Sequence, residues 1–172
     1  ITLKLRQSID ESEILQIALP EMRTALGLER ASMLVVDSNG QGEGKIIAES
    51  VAAAEFSILG AIVPADDMFE VLGKGYEQSA FIKIDDLQTS ELSPNLIASL
   101  QKIKIKSILT TPIIVNNKFF GLFSGTMCQQ PRIWEQSEID LMLQIAAQIG
   151  VALTQAQLVR QLELANLQQS EY

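Results

Sequence analysis

The sequence has no histidine and a single cysteine, Cys128. That leaves no Ser/His or Cys/His nucleophilic pair, no zinc site of the His/Cys kind and no internal disulfide. Catalysis would have to rest on carboxylates, lysine or tyrosine. Cations are scarce too: 13 Lys and Arg stand against 21 Asp and Glu, a net charge of -8. An extended polyanion meets an unfavourable mean field, so nucleic acid is not an expected partner. No run reaches the roughly 18 uninterrupted apolar residues that span a bilayer. Ile1 to Asp10 also lacks the charged start, apolar middle and small-residue cleavage site of a signal peptide. A cytoplasmic segment without membrane insertion is expected. The 172 residues, 47% of them apolar, suit one globular domain. The start at Ile1 and the stop inside a helical pattern at Leu167 to Tyr172 read as a piece of a longer polypeptide.

Asp10, with Glu13 three residues on, forms a capping-box pattern that opens a helix. Ile14, Leu15, Ala18, Leu19, Met22, Ala25 and Leu26 share one face of it, and Gly27 suits its left-handed stop. Pro20 inside this pattern predicts a kink or a break into two pieces, because it removes a hydrogen bond and clashes with the preceding turn. Two β-prone stretches follow, Ala31 to Asp37 and Lys45 to Val51. Their Gly-rich connection lacks the spacing and Lys-Ser/Thr ending of a phosphate-binding loop, so it reads as a turn. Ala52 to Tyr76 reads as connecting loop with one short helix through Met68 to Leu72. Phe81 to Ile84 reads as a brief strand, and Ser93-Pro94 as the cap and first turn of a helix carrying Leu96, Ile97, Leu100 and Ile103.

Ser107 to Val115 and Lys118 to Met127 flank Asn116-Asn117, a two-residue connection whose asparagines tolerate positive φ, so a tight hairpin is predicted. Pro112 cannot donate to a ladder and points to an edge or bulge there. A last helix is predicted from about Glu135 to Ser170, with Ser137 and Asp140 as a cap-like pair. Ile139, Met142, Ile145, Ala146, Ile149, Ala152, Leu153 and Ala156 form a broad face able to cover a sheet. Beyond Gln157 the stripe narrows to Leu158, Leu162 and Ala165 with Val159 beside it, a pattern suited to pairing with a second helix. Locally paired strands with helices at both ends predict an α+β fold, an antiparallel sheet covered by terminal helices.

The chain resembles a GAF domain, and more narrowly the bilin-binding GAF domains of cyanobacteriochromes. The resemblance covers nearly the whole chain. It rests on Gly44-Lys45-Ile46-Ile47-Ala48-Glu49-Ser50-Val51, Asp67-Met68-Phe69, Ile84-Asp85-Asp86-Leu87, Leu109-Thr110-Thr111-Pro112-Ile113, Gly121-Leu122 and Pro131-Arg132-Ile133-Trp134-Glu135. It implies a sheet of five or six strands packed by N- and C-terminal helices that often dimerise. It also implies where a pigment would be tethered: counting back from Leu109 puts Asn95 and Leu96 at the family's attachment Cys and His. The second-cysteine motif reads Asp66-Asp67-Met68-Phe69, and the other pocket histidine falls at Thr126. A methionine thioether has no thiolate to add to a bilin, so a covalent bilin is not expected. Asn117-Lys118-Phe119 begins like the cyclic-nucleotide signature of other GAF domains, but the acidic pair that completes it is missing.

The expectation is a non-catalytic regulatory domain of a histidine-kinase or chemotaxis-receptor type of signalling protein. Residues 1–10 read as a linker or helix end, 11–156 as the GAF-like domain and 157–172 as a helix extension toward an output module in the same chain. A homodimer through Leu158, Val159, Leu162 and Ala165 is expected. The alternative is a sensor holding a small molecule non-covalently in the pocket that holds bilin in relatives, near Asp67, Met68, Phe69, Asn95 and Thr126. Neither metal nor other cofactor is expected: Asp85-Asp86 lacks further oxygen ligands at calcium-loop spacing. Cys128 reads as a small buried thiol, and Arg132 with Trp134 as the pin of the strand-to-helix corner.

Overall fold

Asp10 caps the first helix, α1 (Glu11–Leu26), by accepting the Ser12 N–H at 3.1 Å. Gly27 ends it at φ 64°, ψ 46°, the left-handed geometry that glycine adopts without strain. The computed structural model describes residues 10–36, 43–64 and 81–170. Within α1, Pro20 does not break the helix, which runs unbroken from Glu11 to Leu26. Pro20 and Gln16 are both exposed, on the side of the helix where a carbonyl left without a donor is open to solvent, while the buried face through Ile14, Leu15, Ala18, Leu19 and Met22 holds the helix down.

The strands are β1 (Arg30–Val36), β2 (Glu43–Val51), β3 (Ile62–Pro64), β4 (Ile82–Ile84), β5 (Ser107–Val115) and β6 (Lys118–Met127). They form one antiparallel sheet in the order β3-β2-β1-β6-β5-β4. Asn116 and Asn117 sit at φ 53° and 63°, the doubly positive geometry of a two-residue hairpin turn. Pro112 pairs with Leu122 of β6, two residues past Thr110, where pairing with β4 stops. It therefore lies where β5 has only β6 beside it among the described residues, and a register shift follows at Ile113/Ile114, so both the edge and the irregularity predicted for the proline are present.

One face of the sheet is covered by α1 and by the long α3 (Gln136–Ser170). Here Met33, Leu109, Ile113 and Phe123 meet Met22, Ile139, Met142, Ile149 and Leu153 in the main core. Gly150 lets α3 lie close: a Cβ there would sit 2.5 Å from the Ile114 carbonyl oxygen of β5. The start of α3 differs from the expected cap. Ser137 is already inside the helix, and Glu138 does the capping by accepting the Glu135 N–H at 3.0 Å. The opposite face of the sheet meets the short α2 (Pro94–Lys102), whose N-terminus is capped by Ser93 accepting the Leu96 N–H at 3.3 Å.

Candidate functional site

Strand alternation decides what the second face presents. On β1, Ala31 and Met33 point to the main core, so Arg30, Ser32 and Leu34 point the other way; on β6 the corresponding set is Leu122, Ser124 and Thr126. The register aligns them in rows, Arg30 beside Thr126 beside Ile108, and Ser32 beside Ser124 beside Thr110. These residues, with Ile46, Val63 and Ile82 from neighbouring strands and Leu96 and Leu100 from α2, line an apolar cavity of about 80 Å³. The polar row is partly self-satisfied, since Ser124 Oγ donates to Thr110 Oγ1 at 2.8 Å.

Arg30 is the charged group of this wall, with only 1% of its surface exposed. Its Nη1 donates to the Phe56 carbonyl at 3.0 Å and its Nη2 to the Ile103 carbonyl at 2.7 Å, while Nε has no partner. Burial pulls the guanidinium pKa down, opposed by Cys128 in its thiolate form and by the Glu49 carboxylate; an arginine still remains protonated. Glu49 is itself held by the Ser57 hydroxyl and by the Ile58 N–H at 2.9 Å. Cys128 is buried, and burial pushes its thiol pKa up; its N–H donates to Glu29 Oε1 at 2.7 Å. The thiol is a poorly ionised, enclosed group, which is the small-hydrophobe role expected of it.

The candidate ligand residues separate. Thr126 is buried in the cavity wall. Asn95 is exposed on the outer side of α2, its carbonyl accepting the Ser99 hydroxyl at 3.1 Å; a step of one residue turns a helix by about 100°, and it is Leu96 that faces the cavity. Asp67, Met68 and Phe69, with the short helix expected through Met68 to Leu72, lie outside the described residues. Arg30 was missed because a lone charge in a strand ordinarily faces water. The signal was there: Arg30, Ser32 and Leu34 alternate with Ala31, Met33 and Val35, and the alternation places the arginine on one face with the serine.

Two further regions carry the connection to the long helix. At the corner before α3, Arg132 donates through Nη2 to the Leu26 carbonyl at 2.6 Å, pairs with Glu138, and lies 4.8 Å from the Trp134 ring centre. Asp85 accepts the Trp134 N–H at 3.0 Å and Asp86 the Gln88 N–H at 3.0 Å, so both aspartates are committed to local structure. Among the described residues no cluster of Asp, Glu, Cys or His could hold a metal ion. At the hairpin, the Asn116 N–H donates to Thr154 Oγ1 at 3.0 Å, and that hydroxyl donates to the Gly150 carbonyl at 2.7 Å, tying the β5–β6 turn to α3.

Beyond Ala156, the last buried residue of α3, the helix leaves the sheet. Leu158 and Leu162 are 50% and 64% exposed, Ala165 is exposed and Val159 is half-buried. Val151, itself 58% exposed, precedes Leu158 by seven residues, and Leu162 and Ala165 follow at steps of four and three. The stripe keeps the period of a two-helix seam but passes through the polar, exposed Gln155. By length and composition α3 could cross a membrane, but half of its apolar window is buried inside the domain.

A GAF domain family model matches residues 10–153. Over 171 residues the chain is 30% identical to a protein named as a methyl-accepting chemotaxis protein in Synechocystis sp., covering 99% of this chain and 17% of that protein. It is also 30% identical over 174 residues to the circadian input-output histidine kinase CikA of Thermosynechococcus vestitus, covering 95% of this chain and 23% of the kinase. The chain thus spans about a fifth of the length of these relatives. Among solved structures, one of a far-red absorbing dark state with bound biliverdin IXa matches with TM-score 0.79 and 26% identity, covering 90% of this chain and 96% of that one. A phycocyanobilin-bound GAF domain from a cyanobacterial phytochrome matches with TM-score 0.79 and 25% identity, covering 91% of each chain.

Among the described residues, two observations do not fit a covalently held bilin. The cavity of about 80 Å³ is smaller than an apolar cavity of roughly 150 Å³ that binds benzene, and a linear tetrapyrrole is several times larger than benzene. The sole sulfur nucleophile, Cys128, is buried, has a raised pKa and is not among the residues lining the cavity.

Proposed function

This chain belongs to the GAF domain family, and we propose that it is a non-catalytic regulatory domain of a histidine-kinase or chemotaxis-receptor type of two-component signalling protein, working in the cytoplasm as a homodimer through α3. Residues 11–156 form the sensory body in this reading, 1–10 a linker or helix end, and 157–172 the extension toward an output module in the same chain. The observation that carries it is the course of α3: one unbroken helix is packed on the sheet as far as Ala156 and then presents Leu158 and Leu162 to solvent. A helix that is both wall of the core and exposed stem cannot move at one end alone. A displacement at the sheet reaches it through Gly150 against β5 and through the Asn116–Thr154 bond, and emerges as rotation or translation of the stem.

Sedimentation of the chain with and without 157–172, and of a Leu158→Glu, Leu162→Glu double variant, tests this. A concentration-dependent dimer is expected for the intact chain and a monomer for the other two. A monomer at every concentration for the intact chain refutes it.

A second reading, a sensor of a small non-covalent ligand, is favoured by one specific observation: the apolar cavity has a buried cation with an unpartnered N–H in its wall. Covalent bilin is no part of either reading. Purification from bilin-producing cells tests that directly, because colour that survives denaturation in acid urea would overturn it. A metabolite panel read by melting temperature tests for any ligand.

A further inference from the structure

We propose that the cavity binds a short aliphatic monocarboxylate, the carboxylate engaging Arg30 and the hydrocarbon tail lying among the branched side chains of the sheet. This rests on the small-molecule sensor reading and names its ligand class. Arg30 is 1% exposed and held by two carbonyls, neutral dipoles that leave Nε without an acceptor. Ion pairs among the described residues include Lys83–Asp85 and Arg132–Glu138, and no carboxylate of the described residues lies at ion-pair distance from the Arg30 guanidinium. Glu49 acts on it only from further away, and its own oxygens are taken by Ser57 and Ile58. A buried cation with no carboxylate of the described residues in contact is costly, and an anion from solution supplies both the charge and the missing acceptor.

The rest of the wall sets the remainder of the ligand. Leu34, Ile46, Val63, Ile82 and Leu122 offer nothing polar, and the hydroxyl row of Ser32, Ser124 and Thr110 lies beside the arginine's row. Among the described residues no second cation lines the cavity to meet a second anionic group, and the chain's net charge of -8 opposes it further. The volume of about 80 Å³, roughly half of a cavity that binds benzene with its six carbons, admits about three to four non-hydrogen atoms as it stands, and the wall must yield for a branched acid of six. Isobutyrate, branched and singly charged, is the probe of choice.

Melting temperature and titration calorimetry of the chain with sodium isobutyrate, with isobutyramide and with sodium chloride at matched ionic strength form the test, repeated on Arg30→Lys and Ile82→Phe. Expected is a saturable rise in melting temperature with isobutyrate alone. Affinity should fall about tenfold or more in Arg30→Lys, which keeps the charge but loses the planar fork. Binding should vanish in Ile82→Phe, which fills the cavity from the edge strand; its circular dichroism verifies the fold, and it decides alone if the lysine variant does not fold. Equal rises with acid and amide, undiminished binding in the folded variants, or no saturable rise with acetate, isobutyrate or butyrate at tens of millimolar overturn the proposal. If the metabolite panel then yields a different ligand, the sensor reading stands without this one; if nothing binds, both fall.

Discussion

Replacing Gly150 by alanine adds one methyl group where α3 rests on β5. The added carbon would sit 2.5 Å from the Ile114 carbonyl oxygen, and real Cβ atoms essentially never come under 3.0 Å, so helix and strand must separate by at least half an ångström. The obstacle is backbone, not the end of a flexible side chain, and relief by rotamer change is excluded. Overpacking a tight core of this kind costs about 1–3 kcal/mol, whereas alanine in place of glycine favours an exposed helix by about 1 kcal/mol. The difference is a net loss of about 1 kcal/mol, which in a domain of this size lowers the melting temperature by about 2–4 °C. Urea and thermal melts of the two proteins give the sign. Hydrogen exchange gives a second readout: the Asn116 N–H, bonded to Thr154 one turn further along the helix, should exchange faster in the variant. A Gly150→Ala protein more stable than the parent, with Asn116 unchanged, would show that the approach of α3 to β5 is not tight and would remove the proposed route from sheet to stem.

Trp134→Ala should destabilise by about 3–5 kcal/mol, since it empties a fully buried aromatic site and leaves the Arg132 guanidinium without its stacking partner; denaturant titration measures it. Asn117→Val should cost about 1–2 kcal/mol because a β-branched residue is forced to φ 63°, whereas Asn117→Gly should be neutral or slightly stabilising in the same assay. Cys128 predicts a pH dependence: its folded pKa is raised above the ordinary 9.0, chiefly by burial. The neutral thiol is thus favoured in the folded state, and stability is fully present below the unfolded pKa and is lost as pH rises through the folded one. Urea melts from neutral pH into the alkaline range should therefore fall more steeply for the parent than for Cys128→Ala, and equal slopes would contradict the enclosed placement of the thiol.

Much of the fold was legible because it rests on short-range chemistry. Asp10, Gly27, Ser93 and the Asn116-Asn117 pair each mark a boundary by satisfying or permitting a particular backbone geometry within four residues of themselves. The departures occur where a distant group decides. Pro20 is accommodated because its side of α1 faces water while the other side is pinned to the sheet. Ser137 yields the capping role to Glu138, which is held in place by Arg132. Asn95, placed beside the pocket by counting along the resemblance, turns outward because α2 commits Leu96 and Leu100 to the sheet.

Element types, hairpin turn and family follow from the one-dimensional pattern, since caps, turn residues and apolar periods act between near neighbours. The pairing of β1 with β6 across some ninety residues of chain, and with it the burial of Arg30 beside Thr126, came from tertiary structure alone. A strand's alternation tells which residues share a face, but not which face will be closed over. That is settled by the helix that lands on it, and here α2 landing opposite α1 and α3 turned a charged strand residue into the wall of a cavity.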